Sequence, residues 1–374
     1  MALRIAGHNI EMIAAALTLA GVDSLDGVQL LDGGVVAALH HPPINPAYPA
    51  LLGNIADQKT LAALQRVLLN QYPGQFAVRL LRTVGTAAAR AQILPLAEIA
   101  ANPPDEATLL YVPALGQGAS FEQFQEVIAH LRAPEGCPWD RQQTHSSLRQ
   151  YLLEETYEVL ETLDRGDITA LQEELGDLLL QIVLHTQIAI DNGEFRMTDV
   201  LRHICDKMIR RHPHVWSDVA VQNADEVLVN WQVIKQREKA ANGQANGSLL
   251  DGVPKTLPAL MLAYQYQARA AKVGFDWDKI EGVRAKISEE LDEVMAATTD
   301  AERAEELGDV LFVLVNWARW LNVEPESALR DTVAKFYRRF SFVEQRVRES
   351  GQPMTGYTLA ELDVFWAEAK AKGL

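Results

Sequence analysis

Two patterns of apolar and polar positions divide the chain. Up to about residue 115, short β-rich runs at 28–31, 35–39 and 76–81 alternate with a helical stretch at 59–69 and with turn signals. From Phe121 onward, apolar positions recur at helical spacing. The pattern predicts a mainly α protein in which a small α/β domain precedes two helical repeats.

The helical part carries one acidic pattern twice. The first copy reads EETYE at 154–158 and EELGD at 173–177, and the second reads EELDE at 289–293 and ELGD at 306–309. Each copy predicts two facing helices with carboxylates on both. The repetition favours a shared function over the alternative of solvated helix faces with incidental acids.

These acids lie where apolar residues are expected. Glu155 falls on the helical stripe of Leu148, Leu152 and Val159, and Asp177 lies within an apolar segment. Buried carboxylates are costly unless a partner neutralises them, and a hard divalent cation does so. We therefore predict Mg²⁺ sites, with Mn²⁺ as the alternative ion. The expected ligands are Glu155, Glu158, Glu174 and Asp177 in the first repeat, and Glu290, Glu293, Glu306 and Asp309 in the second.

Basic and aromatic residues also recur in parallel. A Lys-x-x-Arg-Arg triplet is followed in each repeat by Trp-x-x-x-Lys; the residues are Lys207, Arg210, Arg211, Trp231 and Lys235, then Lys335, Arg338, Arg339, Trp366 and Lys370. The triplet places its cations on one side of a helix, which suits a triphosphate, and tryptophan offers a face for a base. Taken alone, each basic triplet is more typical of a solvent-exposed helix face than of a binding site. Because an acidic cluster accompanies the triplet in both repeats, phosphate binding is favoured.

The second repeat has more polar groups near its acids. Asn316 and Arg319 follow Asp309 by about two and three turns, where the first repeat has Leu184 and Gln187, and Lys286 precedes Glu290 by one turn. We predict that Lys286, Asn316, Arg319, Lys335, Arg338, Arg339 and Trp366 bind substrate. His212 and His214 of the first repeat are expected to have a capping or turn role.

Composition narrows the function classes. The 374 residues are 48% hydrophobic and 22% charged, which is typical of a soluble chain of two or three domains. A net charge of −16 argues against a nucleic-acid polymer as partner but permits a nucleotide. The two cysteines are far apart, and neither an export signal nor a membrane-length apolar run is evident, so a cytoplasmic protein without a membrane partner is expected.

Four motifs give this sequence a close resemblance to a known family. They are GCPWD at 136–140, the acidic segments at 154–158 and 173–177, and RRHPHV at 210–215. Through these motifs, the chain from about residue 121 onward resembles the MazG family of nucleoside triphosphate pyrophosphohydrolases. The resemblance implies hydrolysis of a nucleoside triphosphate to monophosphate and pyrophosphate by attack at the α-phosphorus. It also implies that the second repeat is the active one, with Glu290, Glu293, Glu306 and Asp309 as catalytic residues.

The N-terminal part resembles the second half of the tetrapyrrole methylase domain. The resemblance rests on QLLD at 29–32, the Tyr72-Pro73 turn and LPLAE at 94–98. The half that carries that family's glycine-rich cofactor loop is missing, so we expect a packing or dimerisation role rather than methyl transfer.

The predicted domains are 1–115, a truncated methylase-like α/β domain; 121–239, the first repeat; 240–257, a linker; and 258–374, the second repeat. A homodimer is expected, since a two-helix acidic unit must pack against other helices to enclose its site. The predicted function is nucleotide clearance with broad base specificity. A non-catalytic nucleotide sensor or scaffold is the alternative. A di-iron carboxylate bundle is disfavoured, because neither Glu155 nor Glu174 is followed by histidine three residues later.

Overall fold

A computed structural model describes residues 4–5, 8–22, 27–105, 107–241 and 248–374. The chain forms two compact units, Met1–His203 and Ile204–Leu374. The predicted domain boundaries stay predictions, and residues 242–247 of the predicted linker lie outside the described part of the chain.

The first unit begins with strands that form two sheets. Strands β1 and β2 form a two-stranded antiparallel sheet, and the other five strands form a sheet with the order β3-β4-β7-β5-β6. In the larger sheet, β3 pairs parallel to β4, while the β4–β7, β7–β5 and β5–β6 pairs are antiparallel. The strands are β1 (Arg4–Ile5), β2 (His8–Asn9), β3 (Gln29–Asp32), β4 (Ala50–Gly53), β5 (Ala77–Arg82), β6 (Arg90–Pro95) and β7 (Leu109–Val112).

Helices cover both faces of the larger sheet. Their bounds are α1 (Ile10–Leu19), α2 (Gly33–Ala37) and α3 (Gln58–Leu68), with a 3₁₀ helix at Leu96–Ala101. Alternate strand residues enter two separate cores: Leu52 packs with the residues of α3, whereas Leu51 packs with those of α1. Burial on both faces explains why these strands are continuous apolar runs, and it confirms the predicted α/β portion.

One predicted strand is wrong. Residues 35–39 were expected to be extended because of their two valines, but α2 covers Gly33–Ala37. The Asp32 side chain accepts a hydrogen bond from the Val35 amide at 3.0 Å and so starts the helix. A Cβ on Gly33 would lie 2.7 Å from the Gly53 carbonyl oxygen, so glycine permits this close approach to β4. The cap and the close packing override the β propensity of valine.

The rest of the chain is helical, which confirms the mainly α fold class. None of its described helices is both long and apolar enough to cross a membrane. The bounds are α4 (Phe121–Arg132), α5 (Pro138–Gln142), α6 (Arg149–Arg165), α7 (Ile168–Asp191), α8 (Met197–Arg211), α9 (Pro213–Trp216), α10 (Ala224–Ala241), α11 (Ala259–Ala271), α12 (Ile280–Ala296), α13 (Asp300–Trp320), α14 (Pro325–Ser350) and α15 (Leu359–Ala371), with a 3₁₀ turn at Met354–Gly356.

Two helical hairpins hold the acidic motifs. Helix α6 ends at Gly166, whose φ of 66° glycine adopts readily, and Asp167 then caps α7 through the amides of Thr169 and Ala170. In the second repeat, Thr299 and Glu302 form a reciprocal capping box at the start of α13. These short connections make α6 and α7 neighbours, and likewise α12 and α13, so the acids of each pair face one another.

Candidate functional site

The first acidic cluster consists of Glu155 and Glu158 on α6 and Glu174 on α7. One carboxylate oxygen from each lies within 4.8 Å of the others. Glu155 and Glu158 are one helical turn apart, which places them on the same side of α6 opposite Glu174. The structure therefore brings three of the four predicted ligands together. The fourth, Asp177, lies one turn after Glu174 and acts electrostatically on Glu155 and Glu174.

Mutual repulsion marks this first cluster. Burial, followed by the charges of Asp177 and Glu158, raises the pKa of Glu155 above its ordinary value. Burial, followed by the charges of Glu158 and Asp177, raises the pKa of Glu174 in the same way. The carboxylates thus oppose each other's ionisation, and a bound cation would relieve that repulsion.

The second acidic cluster consists of Glu290 and Glu293 on α12 and Glu306 on α13. Its carboxylate oxygens also lie within 4.8 Å of one another. Glu290 is 5% exposed, which makes it more enclosed than any member of the first cluster. Asp309, the fourth predicted ligand, lies one turn after Glu306 with an exposed side chain.

A lysine distinguishes the second cluster from the first. The Lys286 Nζ lies 2.8 Å from Glu290 Oε1 and 2.9 Å from Glu289 Oε1. The hydrogen bond from Lys286 lowers the pKa of Glu290. A hydrogen bond with Glu290, then burial, raises the pKa of Glu293. Predicted as a substrate ligand, Lys286 here lies against the acids, where it keeps Glu290 ionised.

The donor sets fit a magnesium ion. Each cluster supplies hard carboxylate oxygens from two helices, which is the ligand chemistry that Mg²⁺ and Mn²⁺ prefer. Three close carboxylates leave room in an octahedral shell for water and phosphate oxygens. The residues that would hold the ion are Glu155, Glu158 and Glu174, with Asp177, in the first repeat, and Glu290, Glu293 and Glu306, with Asp309, in the second.

Asn316 and Arg319 belong to a polar network that the sequence did not reveal. Arg319 Nη2 lies 2.6 Å from Asp276 Oδ1 and 2.7 Å from Asn316 Oδ1. The Trp320 indole also donates to Asp276 Oδ1, at 3.2 Å. Although burial acts in the opposite direction, these hydrogen bonds hold the pKa of Asp276 below its ordinary value. Asp276 thereby fixes the orientation of Arg319.

A cavity lies at the same turn. Its volume is about 240 Å³, and it is lined by Gly274, Phe275, Asp276 and Trp277. The residues of this turn were not among the predicted site residues. The signal was present in the alternation of exposed aromatic residues with an aspartate in FDW, but only the fold shows that Arg319 pairs with Asp276.

The basic and aromatic residues of α14 and α15 meet as the sequence parallel indicated. The Arg339 guanidinium lies 5.8 Å from the Trp366 ring centroid, and Phe336 packs against the same indole at 5.4 Å. Arg339 Nε also donates to the Leu374 main-chain oxygen at 2.6 Å. Lys335 and Arg338 are exposed on α14.

The first repeat reproduces this arrangement. The Arg211 guanidinium lies 5.3 Å from the Trp231 centroid, and the Lys235 ammonium lies 5.0 Å from it. His212 contacts the Met208 carbonyl oxygen at 2.7 Å, which agrees with the capping role expected for it at the end of α8. The sequence parallel between the two repeats therefore corresponds to a shared arrangement of side chains.

Comparison with known proteins gives a family match and one relative that matches almost the whole of this chain. The model for the MazG nucleotide pyrophosphohydrolase domain matches residues 143–216 and 279–343, which include both acidic clusters. A relative described as uncharacterized protein YabN of Bacillus subtilis is 39% identical over 98% of this chain and 76% of its own length.

Two shorter relatives match the helical part. The nucleoside triphosphate pyrophosphohydrolase/pyrophosphatase MazG of Thermotoga maritima is 44% identical, over 68% of this chain and 96% of its own length. The nucleoside triphosphate pyrophosphohydrolase of Escherichia coli K12 is 45% identical, over 67% of this chain and 97% of its own length.

Proposed function

The chain belongs to the MazG family of nucleotide pyrophosphohydrolases, and we propose that it converts a nucleoside triphosphate and water into a nucleoside monophosphate and pyrophosphate at its second repeat. The observation that carries the proposal is the convergence of Glu290 and Glu293 on α12 with Glu306 on α13, whose carboxylate oxygens lie within 4.8 Å of one another. Relatives that this chain covers almost completely carry the name of the same activity.

The chain's own residues supply charge and position. Lys335, Arg338 and Arg339 are donors to phosphate oxygens, and they neutralise charge on the leaving pyrophosphate. Trp366 offers a ring face that Arg339 already flanks, which suits a stacked base. Glu290, Glu293, Glu306 and Asp309 would hold the metal. When bound, Mg²⁺ supplies Lewis acidity toward the phosphate oxygens and the attacking water.

Two features support the second repeat as the active one. Lys286 keeps the most enclosed carboxylate, Glu290, ionised and ready to act as a ligand. Asn316 and Arg319 form a fixed polar network beside the Gly274–Trp277 cavity. A triphosphate and its base need such oriented donors, whereas the corresponding positions of the first repeat hold Leu184 and Gln187.

Product analysis tests the proposal. We expect the full chain, incubated with mixed nucleoside triphosphates and Mg²⁺, to release monophosphate and pyrophosphate in equal amounts. Diphosphate with orthophosphate would mean attack at the γ-phosphorus. Tight nucleotide binding without turnover would instead support the sensor function. The cytoplasmic location expected from the sequence stays a prediction.

Broad base specificity is the first expected outcome. Stacking on Trp366 and charge pairing with Lys335 and Arg339 use features common to all nucleotides. We expect several ribo- and deoxyribonucleoside triphosphates to be hydrolysed with comparable kcat/KM, consistent with nucleotide clearance. Steady-state kinetics over the common triphosphates measures this. A preference for one base above about a thousandfold would show a dedicated polar pocket and would contradict the prediction.

A homodimer is the second expected outcome. Large apolar side chains lie exposed at positions i, i+4 and i+7 on α7 (Leu175, Leu179, Ile182) and, at the matching positions, on α13 (Leu307, Leu311, Leu314). The same stripe beside the acids of both repeats suits burial against a second copy.

Light scattering should accordingly give about twice the chain mass of 41.4 kDa. Leu311→Lys places a charge in the stripe and should shift the mass toward the monomer. The exposed Lys335→Gln, which lies outside the stripe, serves as the control for a change in net charge. A monomeric wild-type protein would contradict the prediction.

A further inference from the structure

One carboxylate holds both arginines of the first basic cluster, which we define as Arg210, Arg211 and Trp231. Glu238 Oε1 lies 2.7 Å from Arg210 Nε, and Glu238 Oε2 lies 2.7 Å from Arg211 Nη2 and 3.2 Å from Arg211 Nε. Because Arg211 Nε also lies 3.4 Å from Glu238 Oε1, the pairing with Arg211 involves both carboxylate oxygens. This bidentate geometry is the one in which arginine also binds a phosphate. Glu238 therefore lies where a phosphate group would lie if this cluster bound a nucleotide.

The contact is enclosed and charged. The side chains of Arg211 and Glu238 are 14% and 19% exposed, so water screens the pair only weakly. Hydrogen bonds from Arg211 and then Arg210 lower the pKa of Glu238 to about 2. Because the carboxylate stays ionised at physiological pH, an incoming polyphosphate must compete with a permanent internal anion.

The second repeat has a different residue at the corresponding position. Three residues after Lys235 lies Glu238, and three residues after Lys370 lies Gly373. Arg339, the counterpart of Arg211, keeps its place beside the tryptophan but donates to a main-chain oxygen of Leu374, the residue after Gly373, and not to a side-chain carboxylate. Its neighbour Arg338 is exposed.

We infer that Glu238 is an autoinhibitory residue that occupies the first basic cluster as an internal substitute for phosphate, and that the second cluster lacks this side-chain carboxylate because Gly373 stands at the corresponding position. The identity of the ligand, the polyphosphate of a nucleotide, rests on the proposed function. The inference gives a physical reason why two repeats with the same acidic motif differ in substrate binding.

Binding stoichiometry tests the inference directly. The full chain is titrated calorimetrically, with Mg²⁺ present, with an α,β-methylene nucleoside triphosphate and separately with inorganic tripolyphosphate. Glu238→Gln keeps the side-chain volume and removes the charge, so we expect one additional site per chain relative to wild type. The nucleotide analogue should bind that site more tightly than tripolyphosphate, because Trp231 can stack with its base.

Two further variants control this experiment. Asp225→Asn removes the same charge from an exposed position on the same helix, α10, and should add no site. Adding Arg211→Gln to Glu238→Gln should abolish the new site. An unchanged stoichiometry in folded Glu238→Gln would overturn the inference. If wild type binds and hydrolyses triphosphates while the variant gains no site, the proposed function stands and only the inference fails.

A reciprocal pair tests the second repeat without disturbing the first. Gly373 has a φ of 79°, so Glu and Gln are strained there to the same degree, and a Cβ at this position meets no atom within 4 Å. We expect Gly373→Glu to weaken analogue binding about tenfold relative to Gly373→Gln, the scale of one charge-assisted contact. Equal affinities would overturn the inference even if Glu238→Gln failed to fold.

Discussion

Replacing Glu290 with glutamine is expected to abolish pyrophosphate release while the protein stays folded. Glutamine keeps the volume of the side chain but loses the charge that a magnesium ligand needs. The loss should reach about a thousandfold in kcat, at the upper end for removal of one electrostatic group from an active site. Asp309→Asn should have a comparable effect, since Asp309 is predicted to complete the same ligand set. Pyrophosphate release under saturating substrate measures both.

The first repeat provides matched controls for these variants. Glu155→Gln and Asp177→Asn make the same chemical changes at the corresponding positions of α6 and α7, and they should lower the rate much less. Circular dichroism and thermal melting establish that all four variants are folded. Comparable losses from both pairs would mean that both repeats are catalytic, and loss from the first pair alone would reverse the assignment.

The sequence predicted the helical repeats well because their signals are local. Helical periodicity through 148–190 and the spacing of Glu155 and Glu158 depend on neighbouring residues in the chain. The structure confirms the helices and places Glu155 and Glu158 near Glu174. The expected stripe was less buried than predicted: Leu148 is buried, but Val159 is only half-buried. Apolar spacing gives the direction of a side chain, whereas the depth of burial depends on what packs over it.

Features that depend on contacts distant in the sequence were missed. The pairing of Arg319 with Asp276 joins α13 to the turn after α11, and the pairing of Arg211 with Glu238 joins α8 to α10. Neither pair has a characteristic spacing, because both depend on helix packing. The error at 35–39 has a different origin: the valines favour a strand, but Asp32 is a strong helix cap and starts α2 just before them.

The two acidic clusters share a motif but differ in electrostatic surroundings. In the first, burial and then repulsion among the acids raise the pKa values of Glu155 and Glu174. In the second, Lys286 offsets part of that repulsion and lowers the pKa of Glu290. Lys286 also opposes a cation electrostatically, so an incoming metal must weaken its contact with Glu290. Displaced in this way, Lys286 would be available to phosphate, which agrees with the substrate role predicted for it.

Removing divalent metal is expected to eliminate the activity completely and to lower the thermal stability. In each acidic cluster, on α6–α7 and on α12–α13, three carboxylate oxygens lie within 4.8 Å of one another. The fold brings these charges together, so a bound cation relieves their repulsion in the folded state only. A ligand that binds only the native state stabilises it by about 2.7 kcal/mol at a concentration about a hundred times its Kd. Thermal melting with Mg²⁺, with Mn²⁺ and with chelator measures this shift independently of catalysis.

The matched variants assign the shift to each repeat. Glu290→Gln should lose the part of the Mg²⁺-dependent increase in Tm that comes from the second cluster, and Glu155→Gln the part from the first. Calcium, which prefers more ligands and a looser shell, should stabilise the fold but support little turnover. Full activity in the presence of chelator would contradict metal dependence. A Tm that does not respond to Mg²⁺ in wild type or in either variant would show that these carboxylates do not form metal sites.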